Sequence, residues 1–288
     1  MSKHLFYWLL FLVIICYQWS SLIHNRRFRK MCTHLHLQLL RYQTLRAYRN
    51  GDWRTRPIQD NGEKLVKVPK EISLPYYHQE MNLIPDPTLY LREGVLDRVL
   101  KAHNDLIWLG LEIMVYDGWR SVELQENLFW FYMKAFTAER FHLKDAFHNL
   151  EGPAIKQFFE SLPSDKQTVM IDTNRTYVSW PSKDPQKPSP HATGGAVDVW
   201  LHKDGKPVNL GVPFDWMEES AGTFYHLKWR RKRFSGDKTV CKNREYLILA
   251  MTNAGFSCYG PEFWHFNFGN QMDALVKKNT ACYSYIEP

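Results

Sequence analysis

Two short stretches of this chain hold groups able to bind a metal and move a proton. Residues Ser189 to Asp198 read Ser-Pro-His-Ala-Thr-Gly-Gly-Ala-Val-Asp, and Glu262-Phe263-Trp264-His265 follows later in an apolar, aromatic setting. His191, Asp198 and His265 together offer two imidazoles and one carboxylate, a set that fills three positions around a tetrahedral Zn²⁺ and leaves the fourth open for water. Glu262 is the spare carboxylate that hydrolytic chemistry at such a centre requires. Any one of these histidines taken alone reads more simply as a core or surface residue. The local texture shifts that balance: Gly194-Gly195 permits a tight turn between His191 and Asp198, and Ala196-Val197-Asp198-Val199-Trp200 has the pattern of a buried strand. An ionised Asp inside such a strand is costly unless a cation answers it. Glu262 and His265, set among Phe263, Trp264, Phe266 and Phe268, raise the same demand. The helical His-Glu-x-x-His signature of common zinc proteases is absent.

The elements that must position these groups can be read from periodicity. Gly94 to Leu109 places Leu96, Val99, Leu100, His103, Leu106 and Ile107 on one helical face, with Gly110 as a cap. Leu111 to Tyr116 reads as a strand that delivers Asp117-Gly118-Trp119-Arg120 at its end, and Ser121 caps the helix after it. From Phe131 to Leu162 aromatic and charged residues recur at mainly helical spacing, and Pro181 to Pro190 forms a proline-rich loop entering the first metal motif. Arg244 to Ala254 is a helix closed by Gly255, and Phe256 to Tyr259 with Glu262 to Phe268 are paired strands. His142 and His148 read as surface or packing residues.

These residues resemble the D-Ala-D-Ala dipeptidases of the vancomycin-resistance type, within the LAS (lysostaphin, D-Ala-D-Ala peptidase, Hedgehog) metallopeptidases. Three motifs carry the likeness: Ser-x-His-x-x-Gly-x-Ala-x-Asp at Ser189 to Asp198, Glu-x-Trp-His at Glu262 to His265, and Asp-Gly-Trp-Arg at Asp117 to Arg120. It spans roughly Val68 to Gly269, with a divergent region from about Phe131 to Pro188. The resemblance implies an α+β, Hedgehog/D,D-peptidase-like fold, an antiparallel sheet core carrying the zinc site with flanking helices, to which the sequence adds an N-terminal hydrophobic helix. It further implies one Zn²⁺ per chain, Glu262 as catalytic base, Arg120 as stabiliser of the transition-state oxyanion, Asp215 as receiver of the dipeptide ammonium, and Ser189 as a substrate-contacting hydroxyl. The expected activity is hydrolysis of D-alanyl-D-alanine to two D-alanines, a step in cell-wall metabolism. A D,D-carboxypeptidase or other peptidoglycan peptidase of the same fold is the enzyme alternative, and a zinc-containing binding domain is the alternative from another class. The sequence departs from the usual pattern at Trp119, where Tyr is common, at Ser121, where Pro is common, and at Ala192-Thr193.

With 288 residues and a formal charge of +7, the chain is long enough for one catalytic domain with additions. Much of its positive excess lies near the start: His24 to Asn50 carries Lys and Arg but no Asp or Glu. No recognition motif accompanies that basic stretch, and nucleic acid is not expected as a partner. The five cysteines show no Cys-x-x-Cys spacing, which suggests neither a structural zinc nor a disulfide framework. Leu5 to Ile23 is nearly continuous apolar sequence, close to the roughly 20 residues that span a bilayer. It predicts a membrane anchor or signal segment over residues 1–23, then a basic connector over 24–66 and the metallopeptidase domain over 67–288. The protein is thus expected at a membrane, with the side of the catalytic domain left open, cytoplasmic or periplasmic.

Overall fold

A computed structural model describes residues 26–227 and 238–288. Its centre is an antiparallel sheet in the order β3 (Glu112–Asp117), β4 (Ala196–Lys203), β7 (His265–Asn267), β6 (Ser257–Cys258), with β5 (Lys206–Pro207) hairpinned onto β4. The longest strand, β4, lies between β3 and β7 and is buried along nearly its whole length. Alternation along it puts Val197, Val199 and Leu201, all fully buried, on the face opposite Asp198. The fold is therefore the expected mixture of helices and antiparallel strands.

Helices α3 (Glu93–Ile107) and α9 (Lys238–Asn253) pack together against this sheet. On α3 the buried residues are Val95, Val99, Ala102 and Leu106. Ile107, expected on that face, is instead 53% exposed, because the face centred on Val95, Val99 and Leu106 turns past it at 3.6 residues per turn. Gly110 ends the helix with φ +66°. A second helical layer begins with α4 (Val122–Tyr132), capped by the Ser121 hydroxyl accepting from Leu124 N at 3.1 Å. It continues through a π-helical turn at Met133–Thr137 and the short α5 (Ala138–Arg140) and α6 (Lys144–Phe147) to α7 (Pro153–Glu160) and α8 (Ser164–Asn174). The expected strand from Glu262 to Phe268 is shorter: only His265–Asn267 pairs, and Glu262 stands on the turn before it.

The stretch expected as a connector packs onto this body. Helix α1 (Arg26–Asn50) buries Cys32 and Leu37 and lies against α10 (Gln271–Lys277), while Trp53 packs with Met272 and Leu275. A two-stranded ribbon of β1 (Leu65–Lys67) and β2 (Tyr90–Arg92) follows, and one further turn of helix, α2 (Tyr76–Gln79), lies between them in sequence. The apolar segment Leu5 to Ile23, expected as a hydrophobic helix, lies outside the described residues. Among the described residues no helix is long and apolar enough to cross a membrane.

Candidate metal centre and pocket

Strand register brings the proposed ligands together. Asp198 on β4 is the direct cross-strand partner of His265 on β7, and its other neighbour is Asp117 at the end of β3, so three polar side chains form a row across the sheet. The β3–β4 register shifts between Val115 and Asp117, a bulge that re-aims the strand end carrying Asp117 and Arg120. His191 comes from a single 3-10 turn just before β4. Gly194, at φ +68°, closes that turn, and a Cβ there would stand 2.5 Å from Leu65 Cδ2. Arg92 clamps the same turn, donating from Nε to Thr193 O at 2.8 Å and from its backbone N–H to Gly194 O at 3.0 Å.

Ligand atoms of His191, Asp198 and His265 all lie within 4.8 Å of one another, and all three residues are buried. His191 Nδ1 donates to Gly118 O at 2.7 Å, which leaves Nε2 with a lone pair. His265 Nε2 donates to Asn267 Oδ1 at 3.2 Å, which leaves Nδ1 with one. Those two lone-pair nitrogens stand 3.2 Å apart. Asp198 adds Oδ1 at 2.9 Å from His265 Nδ1 and Oδ2 at 3.4 Å from His191 Nε2. Three acceptors facing one another in a buried space repel unless a cation lies among them. At a metal–ligand length of about 2.0–2.1 Å, tetrahedral donors stand roughly 3.3 Å apart, so the residues fit a zinc-sized ion. Asn267 is held in turn: its Oδ1 accepts from Asn270 Nδ2 at 2.8 Å, and Asn270 Oδ1 caps α10 by accepting from Asp273 N at 3.0 Å.

The other expected residues gather around this cluster, with one exception. Arg120 is buried and held by Asp117, from Nε at 3.0 Å and Nη2 at 2.6 Å, and by Gln125 Oε1 at 2.9 Å, and it reaches within 3.8 Å of Asp198 Oδ2. Glu262 Oε2 lies 3.9 Å from His265 Nδ1, its main chain pinned by Thr223 Oγ1 donating to Glu262 O at 2.9 Å. Asp215 is half-buried in a left-handed loop position, φ +57°, and accepts from Tyr77 OH at 2.8 Å and Tyr132 OH at 2.7 Å on the same oxygen. Arg120, Asp198, Asp215, Glu262, His191 and His265 all line one pocket. Ser189 does not line it; it is buried, with a hydroxyl that makes no hydrogen bond to the described residues.

Burial dominates the electrostatics here. It raises Glu262 well above the usual carboxylate range, helped by the negative charges of Asp198 and Asp215. It raises Asp215 to about 6, opposed by the Tyr132 hydrogen bond, and Asp117 to about 7, opposed by Arg120. For Arg120 burial acts downward, but Asp117, Tyr77 and Asp198 outweigh it and hold the guanidinium charged. Burial acts upward on Asp198, and His191, His265 and Arg120 outweigh it, so this carboxylate is stabilised in its charged form. Sequence reasoning missed Tyr77, Tyr132, Gln125 and Asn267. Only Asn267 carried a local signal, two positions after His265 in a buried strand.

A buried pair of imidazoles and a carboxylate, a neighbouring glutamate and an arginine over an antiparallel sheet define a metallopeptidase type of centre. The chain belongs to the family described as D-ala-D-ala dipeptidase, whose model matches residues 130–286 and whose members are metallopeptidases. A D-alanyl-D-alanine dipeptidase of Synechocystis sp. is 30% identical over 232 residues, covering 75% of this chain and 86% of the relative. A D-alanyl-D-alanine dipeptidase of Enterococcus faecium is 31% identical over 83 residues, 27% of this chain and 36% of the relative. Among solved structures, a mutant of the vancomycin-resistance D,D-pentapeptidase VanY from a VanB-type cassette, in complex with Zn(II), aligns with TM-score 0.36 and 12% identity over 80% of this chain and 97% of that one.

Proposed function

We propose that this chain hydrolyses D-alanyl-D-alanine to two D-alanines with one Zn²⁺ held by His191 Nε2, Asp198 and His265 Nδ1. The observation that carries the reading is the convergence of two imidazole lone pairs and a carboxylate on one buried point, with Glu262 and Arg120 in the same pocket. The names of the relatives supply the substrate. A zinc ion there would polarise the peptide carbonyl and lower the pKa of water to about 7.

This chain's own groups handle protons and charge. Glu262 in its carboxylate form, its proton affinity raised by burial, takes the proton of the attacking water and passes it to the leaving amine. Arg120 stays charged and is fixed by Asp117 and Gln125. Its donors need no reorganisation as negative charge develops on the carbonyl oxygen. Asp215, whose Oδ2 is occupied by two tyrosines, pairs with the substrate ammonium. That requirement for a free amino terminus separates a dipeptidase from a D,D-carboxypeptidase. We assign residues 5–23 to a membrane anchor on their apolar sequence alone.

Metal analysis together with an assay on D-Ala-D-Ala, L-Ala-L-Ala and N-acetyl-D-Ala-D-Ala tests the reading. About one zinc per chain is expected, reduced in His191→Ala, Asp198→Ala and His265→Ala, with cleavage of free D-Ala-D-Ala only. Full zinc occupancy in all three variants removes the metal assignment, and cleavage of the acetylated peptide as fast as the free one favours the carboxypeptidase.

A further inference from the structure

Arg175 is a cation in the pocket wall whose charge the described structure barely answers. It follows α8 directly, and its backbone N–H donates to Ile171 O at 2.8 Å. Its Nε is buried with no hydrogen-bond partner. The single carboxylate in ion-pair range among the described residues is Asp172, 4.0 Å from Nη1 on a side chain 70% exposed, a separation and setting in which water screens most of the attraction. A second cation stands near: Arg54 has a lowered pKa, first through burial and then through the charge of Arg175. Arg54 has Asp52 at 3.3 Å and does not line the pocket, so Arg175 is the less answered of the two cations and the one that can meet an anion there.

A chain of contacts places Arg175 relative to the reaction centre. Asp215 accepts from Tyr77, whose ring faces the Arg120 guanidinium at 5.2 Å, and Arg120 lies 3.8 Å from Asp198. Asp198 meets His265, whose ring is 5.5 Å from that of Tyr259, and Tyr259 OH donates to Thr176 O, beside Arg175, at 2.5 Å. These contacts link the metal-binding set to Asp215 at one end and to the residue beside Arg175 at the other, and Asp215 and Arg175 line the same pocket as that set.

We propose that Arg175 receives the free carboxylate of a short peptide whose ammonium is held by Asp215, so that the pocket gauges its substrate by both charged ends. The inference rests on the dipeptidase reading and deepens it. Two residues of extended chain span at most roughly 7 Å, and each residue added at either end moves one charge as much as about 3.5 Å further from the other. A guanidinium suits the task, since its planar donors can grip a carboxylate with two parallel hydrogen bonds.

Steady-state kinetics of the zinc-loaded full chain on D-Ala-D-Ala and on its C-terminal amide decide the matter. The wild type is expected to favour the acid. Arg175→Met should raise KM for the acid roughly 10- to 100-fold, the usual range for a charge-assisted hydrogen bond, with kcat changed little and the amide kinetics unchanged. Arg175→Lys should restore part of the loss, and Arg175→Gln serves as a second neutral variant. A wild-type KM for the acid in the neutral variants, or an equal loss on acid and amide, overturns the role of Arg175 while leaving the dipeptidase reading in place. No cleavage of D-Ala-D-Ala by the wild type overturns that reading and this inference with it.

Discussion

Glu262, buried, and Asp215, half-buried, are carboxylic acids in one pocket, and their surroundings fit them for different work. Glu262 lies 3.9 Å from His265 Nδ1, and burial raises it far above its ordinary range, so it binds a proton more tightly than an exposed carboxylate does. Glu262→Gln should keep its zinc and lose roughly 10²- to 10⁴-fold in turnover, checked by metal analysis beside the dipeptide assay; near-normal turnover would remove it from the chemistry. Asp215 is steadied by two tyrosine hydroxyls and reaches only about 6. Below that pH it is neutral and cannot pair with an ammonium, and above it the carboxylate is present. KM for D-Ala-D-Ala should therefore fall as pH rises through about 6 and then level off, and Asp215→Asn should show a high KM with no such step. A flat KM profile in the wild type would contradict the pairing. His191, Asp198, Glu262 and His265 were legible in the sequence because a polar group inside an apolar run demands a partner. Tyr77 and Tyr132 were not, because a tyrosine among aromatic residues reads as packing until the fold brings its hydroxyl to Asp215.

Register and capping translate those residue types into geometry. The antiparallel pairing of β4 with β7 sets Asp198 opposite His265, and a slip of one residue would send one of them to the far face. The cap of α10 reaches the metal site through amide orientation: Asp273 N fixes Asn270, Asn270 fixes Asn267, and Asn267 fixes the His265 proton on Nε2. Outer partners of this type usually contribute 10–100-fold in metal affinity. Asn267→Ala should thus weaken zinc binding by about 10-fold or more in a chelator competition, with the far-ultraviolet spectrum unchanged, and an unaltered affinity would show that His265 orients itself. The strand before Arg120, the Ser121 cap and the helix ending at Gly255 could be read from alternation and turn residues. The short pairing of β7 could not, because a run crowded with aromatic residues has no period that distinguishes strand from turn.

At the scale of the molecule, the N-terminal region divides differently from its sequence pattern. A basic stretch without acids reads as a connector, yet α1 buries Cys32 and Leu37, and Asp60 ties the region to the C-terminus, accepting from Arg92 Nη2 at 3.0 Å and Ser284 N at 2.6 Å. Charge composition concealed this, because only one face of α1 needs to be apolar and its arginines occupy the others. The proposed anchor over residues 5–23 and the packed helix after it make separable predictions. Full-length protein should fractionate with membranes, and a chain beginning at Arg26 should be soluble, folded and active. A chain beginning at Gly51 should be soluble but less stable, because burying a side chain such as Leu37 contributes about 1.5–3 kcal/mol, against a net stability of only about 5–15 kcal/mol. Its thermal midpoint should fall by roughly 5 °C or more relative to the chain from Arg26. Uncleaved full-length protein recovered wholly in the soluble fraction would remove the anchor, and equal midpoints for the two shortened chains would show that α1 rests on the body without stabilising it.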